Sequence, residues 1–329
     1  MMSRTLALAG ALGLFALVGG CKDSTAPTEK NDTTFDIDLR WVGTKPTGTV
    51  ATAFDAAAAR IEQIILNDLQ AAKVGSKEAP FDLTKCSASM TGISSLDEIV
   101  DDLVIYAKVE AIDGVGKTLG SAGPCLTRVT GGLTVLGIMR FDSADLTDLA
   151  NKGRLNAVVL HEMMHIVGVG TLWRRRGILA DSGLATVRVT GPLAATACVS
   201  DHGGTTACRG GAVPAENCLD LDAALTCGAG TIDSHWKESV FQGELMTGYL
   251  QTTNPLSKMT IQSLADLGYI VSLTTAEPYT VPTPPVAIGA GAIGASLQGI
   301  SEELIVLGAP MAPRFVVDEL GRTTPIRYR

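Results

Sequence analysis

The sequence is short of basic residues and of long apolar runs, and both shortages exclude a class of protein. Its 26 Lys and Arg are outnumbered by 34 Asp and Glu, which gives a formal net charge of −8. A chain this acidic lacks the cationic surplus that displaces counterions from phosphates, so it is a poor general nucleic-acid binder. No apolar run reaches the roughly 18 residues that span a bilayer, which excludes a multi-pass membrane protein. The 46% hydrophobic content excludes a wholly disordered chain.

The first 21 residues have the organisation of an export signal. Arg4 supplies the positive start, Thr5–Gly20 is an apolar stretch too short to span a bilayer, and small residues lead to Cys21. The ending Val-Gly-Gly-Cys resembles the lipobox of bacterial lipoproteins, in which cleavage leaves the cysteine as a diacylated first residue. This resemblance implies a signal peptide over 1–20 and a lipid anchor on Cys21, on the periplasmic or cell-surface side of the cell envelope. An ordinary signal peptide with a cysteine nearby is the alternative.

The composition of the remaining chain predicts one long folded part with short appendages. Residues 21–34 are polar and contain a proline, as expected of a flexible tether. Residues 35–276 predict a folded domain, which an irregular insertion interrupts at about 181–232. Residues 277–286 contain four prolines and predict a stiff linker. The tail, 287–329, has no evident role, although its last residues suit a hairpin.

The cysteines agree with export. Six remain after Cys21, and an even number in an exported protein suggests up to three disulfides. Of the fifteen possible pairings, local spacing favours Cys86 with Cys125, Cys198 with Cys208, and Cys218 with Cys227. A zinc site within 198–227 is the rival interpretation, but that segment has no CxxC pair.

Hydrophobic periodicity predicts a mixture of strands and helices. Strands are expected at 35–41, 99–112 and 133–141. Helices are expected where apolar residues recur at helical spacing, at 50–69, 155–168 and 259–267. Residues 142–153 suit a polar connection between the last strand and the second helix.

The second of these helices carries the most specific motif, His161-Glu162-Met163-Met164-His165. A spacing of four turns a helix by about 400°, so both imidazoles project from one face and can bind one cation. Glu162 lies beside that face, where it can accept a proton from water activated by a metal. This is the HExxH arrangement of zinc peptidases. Two histidines on a polar helix face are the alternative.

A catalytic zinc site needs a third protein ligand and an open position. His165 is followed by Ile-Val-Gly168, as in the metzincin motif, where glycine lets the chain turn towards a third histidine. That histidine would stand at 171, where this sequence has Thr171. The compact form of the motif is therefore broken.

Sequence further along resembles the leishmanolysin family, the metzincins in which a long insertion separates the helix from the third histidine. The resemblance rests on the stretches HEMMHIVGVGTLW, DSHWKESVFQGELMTG and MTIQSLADLGY. Carried over residue by residue, it implies one catalytic Zn²⁺ held by His161, His165 and His235. It also implies Glu162 as the general base, Gly168 as the turn glycine and Met246 as the methionine of a Met-turn beneath the metal.

The resemblance also implies a fold and an activity. The fold is α/β (α+β), a twisted sheet and an active-site helix over a smaller, irregular, disulfide-tied lower subdomain. The activity is zinc-dependent endopeptidase cleavage of proteins or peptides outside the cytoplasm. An edge strand, here 133–141, would align the substrate by strand addition. We expect activity without a processing step, because the tether has no second cysteine that could hold the zinc as the family's propeptide cysteine does.

Several residues keep two interpretations at this stage. Glu238 or Glu244 can replace His235 as the third ligand. His202 is expected in a solvated loop, and Tyr249 in packing rather than in catalysis. A solvated run is the default for Arg174–Arg176, and Asp220 and Asp222 leave calcium binding open without a ligand-loop pattern.

Two other functions also stay open. One is a surface-binding or adhesive lipoprotein whose zinc site is structural or vestigial, although a structural site has no use for a base such as Glu162. The other assigns partner binding to the 287–329 tail.

Overall fold

The structure is a computed structural model that describes residues 33–219, 230–282, 305–306 and 310–328. The strands are Ile37–Trp41 (β1), Ala72–Val74 (β2), Glu98–Val100 (β3), Leu103–Glu110 (β4), Gly120–Arg128 (β5), Thr134–Asp142 (β6), Leu179–Ala180 (β7), Arg188–Val189 (β8), Val213–Pro214 (β9), Tyr249–Leu250 (β10), Ile305–Val306 (β11), Phe315–Val317 (β12) and Thr323–Pro325 (β13). The helices are Gly48–Ile64 (α1), Leu146–Asn151 (α2), Leu155–Val167 (α3), Trp173–Arg176 (α4), Pro192–Ser200 (α5), Glu238–Phe241 (α6) and Lys258–Leu267 (α7). The segments predicted as signal peptide, most of the predicted tether and the end of the predicted linker lie outside the described residues, as do Cys21, Asp220, Asp222 and Cys227.

A six-stranded mixed sheet forms the centre of the fold, in the order β1-β4-β6-β5-β12-β13. β1, β4 and β6 run parallel, with Leu39 opposite Ile105 and Ile105 opposite Gly137. β5 runs antiparallel to β6. β4 and β6 are mostly apolar and largely buried, because packed layers cover both faces of the sheet. The α/β class expected from the sequence is confirmed.

Helices cover one face of this sheet. α1 and α3 pack against each other, α1 also contacts β1, and α3 contacts β5 and β6. Phe54 and Ile61 of α1 and Val159 and Met163 of α3 are fully buried in one core cluster. The helix that carries the HExxH motif is therefore a core element fixed directly beneath the sheet.

Loops and short strands cover the opposite face. β2 pairs with β3 there, and Phe81 and Met90 join Leu126 and Val135 in a second core cluster. The disulfide Cys86–Cys125 links this layer to β5, with its Cα atoms 5.4 Å apart. This pairing was expected from spacing and is confirmed.

Most predicted elements have bounds close to those observed. The strands expected at 35–41 and 133–141 and the helices expected at 155–168 and 259–267 match β1, β6, α3 and α7 within two residues. The connection expected at 142–153 contains α2.

Two elements end earlier than their hydrophobic patterns indicate, because tertiary contacts take their backbone groups. α1 stops at Ile64 rather than at 69, since the Leu66 N–H donates to Ile270 O and the Ser272 N–H donates to Ile64 O. The strand expected at 99–112 is split into β3 and β4 at Asp101 and Asp102, whose carbonyl oxygens both accept hydrogen bonds from Arg128 Nη2.

β5 was not predicted, because its sequence lacks the usual strand signals. It contains Gly120, Gly123 and Pro124, and both residue types are depleted in strands. The pairing with β6 shifts register just after Pro124. A side chain at Gly123 would overlap the carbonyl oxygen of Met311, so the glycine allows another segment to lie against the strand.

That segment is the C-terminal tail, and it corrects the expectation that 133–141 is an edge strand. β6 lies between β4 and β5, so it has no free edge. The outer edge of β5 is also occupied: Met311 N–H donates to Ala122 O, Arg314 N–H donates to Cys125 O, and β12 pairs with β5 in parallel. The hairpin expected near the C-terminus is confirmed as β12 and β13, and it completes the sheet.

The lower part of the molecule holds the insertion. It is more regular than expected, since it contains α5, which packs against α7, and two strands, β8 and β9, that form a small sheet with β7 just before it. The predicted disulfide Cys198–Cys208 is confirmed, so these two cysteines form no zinc site. Cys218 is also disulfide-bonded. Over the described ranges, no helix combines the length and apolarity needed to cross a bilayer.

The docking of the tail can be tested at Gly123. We expect Gly123→Ala to destabilise the protein by about 1–3 kcal/mol, the usual cost of forcing extra atoms into a packed site, because the new Cβ would overlap Met311 O. Ser121→Ala, on the same strand, is the control. Urea unfolding measures both variants. Equal stabilities would show that the tail does not lie against β5 as described.

Candidate active site

The HExxH motif lies on a helix that is buried over almost its whole length. Within α3, Leu155 and every residue from Val158 to Val167 are buried. The end of the helix is fixed to β6, because Thr134 Oγ1 donates a hydrogen bond to Ile166 O at 2.7 Å, and a side chain at Gly137 would overlap Ile166. The two histidines of the motif are therefore held by core packing rather than by a surface helix.

Two glycines turn the chain after α3. Gly168 ends the helix with φ +121°, and a Cβ there would lie 2.7 Å from Leu172 and 2.8 Å from Leu267. Gly170 has φ +79°, and its Cβ would overlap the carbonyl oxygen of Ser234. Residues with a side chain are strained in this region of φ. The turn expected at Gly168 is present, and Gly170 allows the segment that ends in His235 to approach.

Thr171 occupies the position where the compact motif has a histidine. Its hydroxyl donates a hydrogen bond to His165 O at 2.6 Å, and the residue is buried. The last carbonyls of a helix have no partner within the helix. Thr171 therefore stabilises the end of the helix instead of contributing a ligand.

His235 reaches the helix from a segment 70 residues away. The adjacent Trp236 is held on both sides: its N–H donates to Met246 O at 2.9 Å, and its ring lies 4.5 Å from the ring of Trp173. The Trp236 Nε1–H donates to Thr260 Oγ1 at 2.8 Å. These contacts fix His235 between α4, α7 and the turn that carries Met246.

The three imidazoles meet at a point without solvent exposure. The Nε2 atoms of His161, His165 and His235 lie 2.9, 3.1 and 3.2 Å from one another. Atoms at this separation are equidistant, at about 2 Å, from a point just off their plane, and about 2 Å is the zinc–nitrogen distance. All three side chains are 0% exposed. The geometry suits one ion bound by three nitrogens.

Hydrogen bonds at the other ring nitrogens determine which nitrogen of each histidine is free to bind a cation. The Nδ1 atoms lie 2.7, 2.8 and 3.1 Å from the carbonyl oxygens of Leu245, Val169 and Thr231, for His161, His165 and His235 respectively. A carbonyl only accepts, so each Nδ1 carries the proton and each Nε2 presents a lone pair. Three lone pairs that face one another repel unless a cation lies between them. The donor set therefore fits a metal ion.

Burial keeps these imidazoles neutral, as metal binding requires. Desolvation lowers the pKa of His161 to about 3 and the pKa of His235 to about 4, and it lowers the pKa of His165 as well. Neighbouring imidazoles lower the pKa values of His161 and His165 further, while the carbonyl hydrogen bonds oppose the shift.

Two further residues of the sequence prediction, Glu162 and Met246, are buried. Glu162 follows His161 on α3 and is 0% exposed. Met246 lies in the turn 244–247, is also fully buried, and accepts the Trp236 N–H described above through its carbonyl oxygen. Their roles as general base and as the methionine of the Met-turn stay predictions.

The family comparison agrees with this geometry. The sequence model of the family described as leishmanolysin matches residues 91–281, more than half of the chain. The chain belongs to the leishmanolysin family. Its members are zinc metallopeptidases, so protein or peptide substrates follow at the level of the family. No curated protein matches the chain.

In this leishmanolysin-family chain, the described residues contain one group of three or more side chains able to hold a metal, and it consists of His161, His165 and His235. Glu238 and Glu244, the alternative third ligands, do not belong to it. Glu244 instead accepts hydrogen bonds from Met246, Ser257 and Thr260.

The structure also shows the surroundings of three other residues that had two interpretations. The expectation that His202 lies in a solvated loop is wrong: it is 3% exposed, its Nδ1 bonds to Tyr279 O, and its Nε2 accepts the Met259 N–H. Tyr249 is fully buried, as expected of a packing residue. Arg174 is exposed and pairs with Asp233, in agreement with a solvated run.

Sequence reasoning missed Gly170 and Thr171 as contributors to this site. Gly170 could have been found, because a second glycine two residues after Gly168 indicates a further turn of the chain. The role of Thr171 could not, since it depends on where the hydroxyl points after that turn.

A substitution at Gly170 has two effects, a clash with Ser234 and backbone strain at positive φ, and a control variant can separate them. We expect Gly170→Ala to weaken zinc binding by about tenfold or more, the size of effect seen when support around a ligand is disturbed, because the Cβ pushes Ser234, and with it His235, away from α3. Gly177→Ala is the matched control, since Gly177 has φ +74° and no atom within 4 Å of its Cβ. Competition with a chelator measures the affinity. Equal affinities in the two variants would contradict the close approach.

Proposed function

We propose that this chain is a zinc-dependent endopeptidase of the bacterial cell envelope, anchored by a lipid on Cys21. The observation that carries the proposal is the convergence of three Nε2 lone pairs, two from the buried helix that also carries Glu162 and one from His235. His161, His165 and His235 would hold Zn²⁺, and Met246 would lie in the Met-turn beneath it.

A catalytic site is favoured over a structural one by the number of ligands. Structural zinc sites have four protein ligands, whereas catalytic sites keep one position for water or substrate. Within 33–219 and 230–282, no fourth His, Cys, Asp or Glu joins the three histidines. A structural site also has no use for a base, and Glu162 is present.

Each residue then has one task in the reaction. When bound, zinc supplies a Lewis acid that polarises the scissile carbonyl and makes water acidic enough to attack near neutral pH. The histidines bind through Nε2 and keep their orientation through Nδ1. Glu162 accepts the proton of the attacking water and delivers it to the leaving amine.

The substrate cannot be aligned in the way expected from the sequence. Strand addition at 133–141 is not available, because β6 is interior, and residues 311–317 occupy the outer edge of β5. The proposed mechanism therefore does not depend on strand addition at that part of the sheet.

The proposed anchor makes Cys21 the test of localisation. We expect Cys21→Ser to release the protein from the membrane fraction, because diacylation of that cysteine would provide the anchor. Lys22→Ala keeps the cysteine and should stay membrane-bound. Fractionation of cells and partition into detergent measure both variants. A Cys21→Ser chain that remains with the membranes would show that another feature holds it.

The proposed chemistry makes Glu162 the test of activity. We expect the wild-type chain to digest an unfolded protein and a chelator to abolish digestion. Glu162→Gln should lower the rate by about 10²–10⁴-fold with its zinc retained, since that is the usual contribution of a general base. Digestion at equal zinc content, followed by sequencing of the cleavage sites, measures activity and specificity together.

Three outcomes of this experiment are informative. Zinc-loaded wild type and Glu162→Gln that both fail to cleave any unfolded substrate would favour a structural metal and the adhesive alternative. Equal cleavage by both would remove Glu162 from the mechanism. A chain that cleaves only after it has itself been nicked would contradict activity without processing.

A further inference from the structure

The turn 244–247 contacts two of the three histidine segments through backbone atoms. Leu245 O accepts the Nδ1–H of His161 at 2.7 Å. Met246 O accepts the N–H of Trp236, the residue that follows His235, at 2.9 Å. A displacement of this turn would therefore rotate one imidazole and shift the segment that carries another.

One buried carboxylate holds this turn in place. Glu244 is 0% exposed, and its Oε2 accepts the Met246 N–H at 2.6 Å. Its Oε1 accepts the Ser257 N–H at 3.2 Å, the Ser257 hydroxyl at 2.6 Å and the Thr260 hydroxyl at 2.5 Å. Every partner is a donor, and two of them are backbone N–H groups that cannot reverse their role.

The same carboxylate connects the turn to the His235 segment by a second route. Ser257 and Thr260 belong to the start of α7, and Thr260 Oγ1 also accepts the Trp236 Nε1–H at 2.8 Å. Glu244 thus bonds to Met246 on one side and, through Thr260, to Trp236 on the other. Both routes lead to residues that flank a histidine of the site.

We propose that Glu244 is a positioning residue of the metal site, which orients His161 through Leu245 and His235 through Trp236 without touching the metal. The inference rests on the proposed function only in taking the bound ion to be zinc. A carboxylate that merely capped α7 would leave the histidines unaffected, so a measurement at the metal distinguishes the two roles.

Glu244→Gln is the informative change, because an amide has one acceptor oxygen and one donor group in place of two acceptors. Either the Met246 N–H or the Ser257 N–H then faces another donor. Asp266→Asn is the matched control: the two carboxylate oxygens of Asp266 also accept two backbone N–H groups, those of Leu193 and Ala194, and neither residue lies in a segment that carries a histidine of the site.

The experiment follows the metal rather than proteolysis, in the full chain. Wild type and both variants are loaded with zinc, and the rate of zinc transfer to a chelator is measured. We expect Glu244→Gln to release zinc about 10–100-fold faster than wild type, the range found when groups that orient metal ligands are removed, and Asp266→Asn to match wild type. The visible spectrum of the Co²⁺-substituted Glu244→Gln protein should also change, since it reports ligand orientation.

Release at the wild-type rate with an unchanged cobalt spectrum would overturn the proposal. If Glu244→Gln does not fold, Thr260→Val takes its place: it keeps the carboxylate and removes the hydroxyl that links Glu244 to Trp236. We expect faster zinc release there too, and an unchanged rate would count equally against the proposal. A wild-type chain that binds zinc tightly but never cleaves would defeat the proposed function and leave this test intact.

Discussion

Three imidazole lone pairs that face one another in the buried interior are the constraint on which this structure depends. Water cannot solvate them, because His161, His165 and His235 are 0% exposed, and without a cation their repulsion would separate the segments that carry them. The fold supplies the force that opposes this repulsion. Core packing of α3 under β5 and β6 holds two of the histidines, and the Trp173–Trp236 contact holds the segment of the third.

Orientation of these rings comes from the backbone rather than from other side chains. The carbonyls of Val169, Thr231 and Leu245 each accept one Nδ1–H, and each belongs to a non-helical segment. Groups behind the ligands commonly fix the tautomer of metal-binding histidines. Here this makes the site sensitive to whatever fixes those segments: Gly168 and Gly170 after the helix, and the Glu244 carboxylate at the Met-containing turn.

Local patterns pointed to the three histidines that the structure brings together, but not to their surroundings. Helical spacing placed His161 and His165 on one face, and the resemblance supplied His235 and Met246, because these depend on residue identity and short-range order. Periodicity carries no information on which strands become neighbours, so the interior position of β6 and the docking of the tail on β5 escaped it. The sequence left Glu244 as a possible ligand, because its role depends on its neighbours in the fold. Four hydrogen-bond donors surround its carboxylate, and they show that it holds a turn.

Thr171 shows why the break in the compact motif and the long insertion belong together. In the compact arrangement the residue at 171 would bind the metal, whereas here its hydroxyl satisfies His165 O and keeps the chain close to the helix end. The third nitrogen must then come from elsewhere, and the close approach of Gly170 to Ser234 lets a distant segment deliver it. These three positions therefore depend on one another. His235 replaces the histidine that the compact motif has at 171, and the missing side chain of Gly170 makes room for the segment that carries His235.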